Sequence, residues 1–267
     1  MEVQRLKGQS AIVTGSSSGI GKAIAMQFAQ EGAKVVVNYT SNQKAAQEIV
    51  EKIEQEGGEA LAVKADVSRE EEVNELFATT VKVFGTVDIL VNNAGIQKDF
   101  GITEMSLENW NKVLDVNLTG QFLCSREAIK EFKRRGFRRS SCALGKIICI
   151  SSVHELIPWS GHVNYASSKG GVSMFMKSVA QEVGKDKIRI NAIAPGAIKT
   201  RINQANWKTR EAEQRLLELI PYQRLGEVRD VANVAVWLAS DESDYVHGTT
   251  IFVDGGMSLY PGFMNNG

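Results

Sequence analysis

Residues 10–21 read SAIVTGSSSGIG. The first five are short, apolar and β-prone, and they run into Gly15, Gly19 and Gly21 in the spacing G-x-x-x-G-x-G. The KAIAMQFAQEG that follows has apolar residues at helical intervals and stops at Gly32, a typical helix end. A second β-prone run at residues 34–37 completes one strand–turn–helix–strand unit. Glycines keep such a turn tight and let backbone N–H groups at a helix N-terminus approach a pyrophosphate. In this setting the turn predicts a dinucleotide site made from Gly15, Ser17, Ser18, Gly19, Ile20 and Gly21.

The second strand runs into Asn38-Tyr39-Thr40-Ser41. An acidic side chain there would bond both ribose hydroxyls and repel a 2′-phosphate, and an arginine would accept that phosphate. Neither is present, so NAD and NADP both remain open, with Asn38 a candidate contact.

Further along, residues 42–56 form an amphipathic pattern and residues 60–64 a third strand that ends at Asp66 and Val67, both candidates for the adenine end. Ser68-Arg69-Glu70-Glu71 matches a capping box that opens the next helix. A fourth strand at residues 88–91 enters Asn92-Asn93-Ala94-Gly95, and small residues at a strand's carboxyl end let a cofactor lie on Asn93, Ala94 and Gly95. Residues 107–135 read as one long helix capped by Ser106. Asn117 in its middle is a poor interior helix residue, and so marks either a kink with a water site or a tolerated polar side chain.

Residues 133–146 hold six basic side chains and no acidic one, which reads as a solvated loop rather than an anion site. The fifth strand, 146–150, delivers Ser151 and Ser152 at its carboxyl end. A helix at 164–183, a sixth strand at 189–193 ending in Ala194-Pro195-Gly196, a helix at 229–240 and a strand at 250–253 complete the alternation. The mixed stretch 197–222 suits a substrate lid above the sheet. The expectation is a single α/β domain over 1–267, a Rossmann-type doubly wound parallel sheet of about seven strands with helices on both faces.

Composition narrows the partners. Lys plus Arg and Asp plus Glu number 31 each in 267 residues, so no global field draws the chain to nucleic acid or to a membrane. The N-terminus lacks an apolar run of signal length, and no stretch reaches the roughly 18 residues of a membrane span. Cys124, Cys142 and Cys149 show no C-x-x-C spacing. That fits a reduced, cytoplasmic setting with no metal site.

The candidate chemistry lies in residues 151–169, SSVHELIPWSGHVNYASSK. On a helix, Tyr165 and Lys169 share one face, a turn apart. An ammonium beside a phenol favours the phenolate, which draws the tyrosine pKa from about 10 toward neutrality. Such a phenol exchanges a proton with an alcohol or carbonyl oxygen at ordinary pH. Alone, the pair would be only a partly buried tyrosine beside a surface lysine.

Its company gives it meaning. TGSSSGIG from Thr14, NNAG from Asn92, Asn117, Ser152, Tyr165 with Lys169, and Pro195-Gly196 occur in one order, and together they resemble the short-chain dehydrogenase/reductase family over almost the whole chain. SSVHELIPW, YASSKGG, VWLAS and DGGMSLYP are more narrowly similar to its glucose 1-dehydrogenase branch. The resemblance implies Tyr165 as general base or acid, Lys169 lowering its pKa and bonding the nicotinamide ribose, and Ser152 orienting the substrate oxygen. It implies Asn117 as holder of a water that links Lys169 to solvent, and Pro195, Gly196, Ile198 and Thr200 along the nicotinamide end. His154 becomes a candidate substrate contact, with Glu155 either substrate contact or loop structure and His162 a surface histidine.

The implied activity is NAD(P)-dependent oxidation of the anomeric hydroxyl of D-glucose or a related aldose to the lactone. Reduction of a 3-oxoacyl thioester or small ketone is the alternative within the family, and a catalytically silent dinucleotide sensor the alternative outside enzymes. A homotetramer is also implied, with residues 257–267 covering a neighbour. Gln97, Thr40 and Lys199 depart from the glucose dehydrogenase pattern, and each bears on substrate or cofactor preference rather than on the chemistry.

Overall fold

The computed structural model describes residues 4–200 and 207–259. Seven strands, Ser10–Val13 (β1), Lys34–Tyr39 (β2), Glu59–Lys64 (β3), Ile89–Asn92 (β4), Gly145–Ile150 (β5), Ile188–Pro195 (β6) and Thr250–Val253 (β7), form one sheet in the order β3-β2-β1-β4-β5-β6-β7. Every pairing is parallel. The central strands are apolar at consecutive positions because both sheet faces are covered. In β1, Ala11 and Val13 face one core and Ile12 the other.

The first core packs Gly19–Gln30 (α1), Gln43–Gln55 (α2) and Val228–Ala239 (α8) on one face through residues such as Phe28, Ile49 and Val236. The second packs Glu70–Phe84 (α3), Gly120–Arg135 (α5) and Val163–Val183 (α6) on the other through Leu76, Phe132 and Met176. Leu107–Leu114 (α4) precedes α5, and Arg210–Leu217 (α7) lies within the expected lid. The fold is the single doubly wound α/β domain that the sequence predicts. No helix among the described residues is long and apolar enough to cross a membrane.

Three local expectations change. The single helix over 107–135 is divided by a π-helical turn, Asp115–Thr119, in which Asn117 is fully buried. The Ser106 cap forms, its Oγ accepting from the Asn109 N–H at 3.1 Å. The capping box at 68–71 does not form. The Ser68 hydroxyl donates to Asp66 Oδ1 at 2.7 Å, and α3 starts at Glu70 with no side-chain cap. An aspartate two residues upstream wins the hydroxyl by closing a local turn.

The basic run is a solvated loop only in part: residues 136–144 are irregular and Lys133, Arg134 and Arg139 are exposed, but Arg135 and Lys146 are turned inward. Arg135 lies 3.1 Å and Arg138 2.6 Å from the buried Asp88, whose carboxylate also accepts from the Ser10 N–H at 2.8 Å. Lys133 pairs with Asp186 and Arg134 with Glu131, each at 2.7 Å. Lys146 is buried, donates to Gln9 Oε1 at 2.6 Å, and has its pKa held down to about 8 by burial. The segment is a clasp across the amino ends of β1, β4 and β5. The lid residues 201–206 and the tail 260–267 lie outside the described residues.

Candidate active site

The strand order reverses between β1 and β4, so the carboxyl ends there leave the crevice that such sheets offer to ligands. A cleft of about 1220 Å³ opens at that edge. At one end is the β1–α1 turn. Gly15 has φ +59°, and a Cβ on it would stand 2.9 Å from the Ala94 Cα, so neither the backbone nor the space admits a side chain. Thr14 Oγ1 accepts from the N–H groups of Asn93 at 2.9 Å and Ala94 at 3.0 Å, and the Asn93 amide donates back to the Thr14 carbonyl at 2.8 Å. These bonds latch residues 93–95 against the turn.

Every residue expected at the cofactor lines this cleft. Gly15, Ser17, Ser18, Gly19, Ile20, Gly21, Asn38, Asp66, Val67, Asn93, Ala94 and Gly95 surround one end, and Pro195, Gly196, Ile198 and Thr200 the other. Asn38 has a second task. Its Oδ1 accepts from the Gly15 N–H at 2.9 Å and its Nδ2 donates to the Ala65 carbonyl at 3.0 Å, so the amide braces the turn. Asp66 Oδ1 is likewise engaged by Ser68.

Ser152, Tyr165, Lys169 and His154 meet in the same cleft. β5 ends beside Ser152, and α6 places Tyr165 and Lys169 one turn apart. Lys169 is buried, its Nζ donates to the Ile150 carbonyl at 2.9 Å, and it stands 5.5 Å from the Tyr165 ring centroid. Burial draws the Lys169 pKa down to about 8, against the fields of Cys149 and Glu155. The Tyr165 pKa is raised, not lowered as the spacing predicts. Burial dominates, the hydrogen bond from Ser152 opposes it, and Asp99 adds to it. The loss of hydration around a buried phenolate outweighs the stabilisation that the spacing promised.

Asn117 does not line the cleft. Its Oδ1 accepts from the Ile96 N–H at 2.8 Å, and its Nδ2 donates to the Ile96 carbonyl at 3.0 Å and to Ser168 Oγ at 3.1 Å. Those bonds pin the loop after Gly95 onto α6.

The structure adds a wall that sequence reasoning missed. Trp159 lies between two imidazoles, stacked on His154 at 4.2 Å and on His162 at 3.5 Å, with its edge to Tyr165 at 6.2 Å. His162, expected at the surface, approaches Asp99 at 3.4 Å. His154 Nδ1 contacts the Ile157 carbonyl at 3.1 Å, and burial lowers its pKa. Three rings within nine residues were the available signal. Leu216, Leu219, Pro221, Met257 and Leu259 also line the cleft, with Glu218 the carboxylate among them. Among the described residues, no cluster of three or more His, Cys, Asp or Glu is placed to hold a metal ion.

The site fits a dinucleotide. α1 begins at Gly19, where an added Cβ would meet nothing nearer than Thr200 Cγ2 at 3.8 Å, so the helix N-terminus faces open cleft. A short-chain dehydrogenase family model described as enoyl-(acyl carrier protein) reductase matches residues 15–258. A 3beta-hydroxysteroid dehydrogenase 1 of Eggerthella lenta is 50% identical over 258 residues, 97% of each chain. Glucose 1-dehydrogenase 2 of Bacillus subtilis is 46% identical over 257 residues, 96% of this chain and 97% of its own. A 7α-hydroxysteroid dehydrogenase solved with NADH and 7-oxo glycochenodeoxycholic acid superposes with a TM-score of 0.88 at 36% identity, covering 95% of this chain and 96% of its own. Solved relatives carry NADH or NADP, and NAD(P) is the cofactor here. With half its residues shared with a relative along nearly the full length, and that turn, cleft and tyrosine–lysine helix in place, the chain is a member of the short-chain dehydrogenase/reductase family.

Proposed function

We propose that the protein interconverts a secondary alcohol and its ketone on a bulky apolar frame of the hydroxysteroid type, using NAD or NADP. The observation that carries this reading is the meeting of Ser152, Tyr165 and Lys169 in a cleft also lined by Leu216, Leu219 and Pro221 of the lid and by Met257 and Leu259 after the last strand, a mainly apolar set that includes one lid carboxylate, Glu218. A sugar would need several hydrogen-bonding groups there, and an apolar frame needs the surface that is present. The 50% identical steroid dehydrogenase agrees with it. A second reading, aldose to lactone, is supported by the 46% identical glucose dehydrogenase and by Gln97, Lys112 and His154 in the cleft.

Ser152 Oγ and the Tyr165 phenol hold the substrate oxygen between them. Tyr165 takes the hydroxyl proton in oxidation and returns it in reduction. Lys169 supplies positive charge behind the phenol, and Asn117 keeps the Ile96 loop and α6 in register. The cofactor, when bound, supplies the hydride acceptor or donor, and its oxidised ring adds a charge that favours phenolate.

Initial rates with a 3-hydroxysteroid, D-glucose and an acetoacetyl thioester, each with both cofactors, test the reading. The expected kcat/KM for the steroid exceeds that for glucose by about a hundredfold, the value of a few desolvated apolar contacts. A preference for glucose would move the protein to the second reading, and a preference for the thioester would sink both.

At the ribose end the described cleft residues include Ser18, Tyr39 and Thr40, and no Lys or Arg stands beside them in the cleft lining there. NAD is therefore expected to be used better than NADP. Thr40→Arg should raise the NADP/NAD ratio of kcat/KM about tenfold by adding a charge-assisted phosphate contact. An unmoved ratio would place the 2′ position elsewhere.

A cytoplasmic homotetramer is part of the same reading. The exposed Phe122 on α5 and Met174 on α6 offer apolar surface for it. Sedimentation of a monomer at micromolar concentration would remove it.

A further inference from the structure

Lys169 is buried at 3% exposure with one hydrogen bond from its Nζ, to the Ile150 carbonyl. A desolvated ammonium needs a countercharge. The titratable groups around it come from three elements. From β5, Cys149 has its thiol pKa pushed up to about 12 by burial and is neutral. On α6, Tyr165 is a phenol whose burial disfavours ionisation. From the turn Val153–Glu155 comes the carboxylate of Glu155, whose field reaches both Lys169 and Cys149.

Glu155 is held for this task. Its Oε1 accepts from Ser173 Oγ at 3.1 Å, and Ser173 stands one helical turn beyond Lys169 on α6. Its Oε2 is buried with no hydrogen-bond partner. An orphaned carboxylate oxygen is costly unless a nearby cation compensates it. Glu155 does not line the cleft, so substrate does not explain it.

We infer that Glu155 is a positioning residue for the reaction: anchored by Ser173 beneath the cleft floor, its carboxylate keeps Lys169 an ammonium, so that the lysine can support Tyr165. The inference rests on the Tyr165–Lys169 chemistry proposed above. The direction follows from the charges. Burial pushes the Lys169 proton off, Glu155 holds it on, and removing the carboxylate lets it leave at lower pH.

The test titrates Lys169 in the full-length protein by NMR of 13C-labelled lysine, with its resonance assigned by loss in Lys169→Arg. A midpoint near pH 8 is expected in the wild type. In Glu155→Gln the midpoint should fall by about one pH unit, and the alkaline limb of kcat should move down with it. Glu155→Asp keeps the charge on a shorter arm and should fall between the two. If the Gln variant does not fold, the Asp variant alone decides: a midpoint identical to wild type overturns the inference. So does an unmoved midpoint in folded Glu155→Gln. The titration needs neither substrate nor cofactor. A shifted midpoint in a protein that turns over no alcohol would leave the Glu155 role standing and end the functional reading. An active enzyme with an unmoved midpoint would do the reverse.

Discussion

Tyr165→Phe is expected to lower kcat by about a thousandfold, the share that a positioned general acid or base supplies. The substitution removes one oxygen and keeps the ring. The edge contact to Trp159 at 6.2 Å and the packing above Lys169 should persist, so thermal unfolding and NADH affinity should stay near wild type. That split is the point of the measurement. A lost kcat with intact cofactor binding assigns the proton to the phenol. A loss smaller than tenfold would mean that a water or another side chain moves the proton, and would remove the catalytic role from Tyr165. The raised pKa of the phenol adds a direction. Oxidation should quicken as pH rises and the phenolate becomes populated, and the variant should lose that limb.

Asp88→Ala is expected to destabilise the fold by about 3–5 kcal/mol, the cost of stranding a buried charge whose partner is removed. Arg135, its side chain only 7% exposed, loses the Asp88 carboxylate at 3.1 Å and is left with the Val87, Gly136 and Leu144 carbonyls, and the Ser10 N–H loses its acceptor. Arg138, at 38% exposure, should find water instead and contribute little. Denaturant unfolding reads the loss. KM for substrate and cofactor should hardly move, because the clasp lies at the amino ends of the strands and the cleft at the carboxyl ends. A loss below 1 kcal/mol would show that the clasp is ornamental to stability, and a changed KM that the two ends of the sheet communicate.

Some of this was legible in the sequence. The strand at 250–253 and the alternation of strand and helix follow from apolar runs and glycine stops that act locally. The spacing of Tyr165 and Lys169 fixed their common face, but the tyrosine's proton affinity depends on how much water surrounds it, which no spacing records. β2 runs beyond residue 37 because Asn38 is buried at 1% exposure. Its polarity disguised a strand position whose amide has found three backbone partners. Asn117 announced a break in its helix, yet its target, the Ile96 backbone, is distant in sequence. The basic run was misread in part for the same reason. Asp88, Asp186 and Asp241 are scattered along the chain, and only folding brings them to the arginines and lysines they pair with; Glu131, one turn before Arg134 on α5, lies just outside the run.

The strand order has a consequence for how the protein is made. β1 lies at the middle of the sheet, with β2 on one flank and β4 on the other, and the partner of Val13 on the second flank is Val91. A nascent chain leaving the ribosome therefore completes β1, α1, β2, α2 and β3 while one long edge of β1 has nothing to pair with. That edge is Ala11-Ile12-Val13, three residues with no solvent exposure in the finished fold. Unpaired apolar edges are templates for association with other chains. Synthesis of this protein thus passes through a window, closed by the emergence of β4, in which its most protected strand is its most vulnerable one.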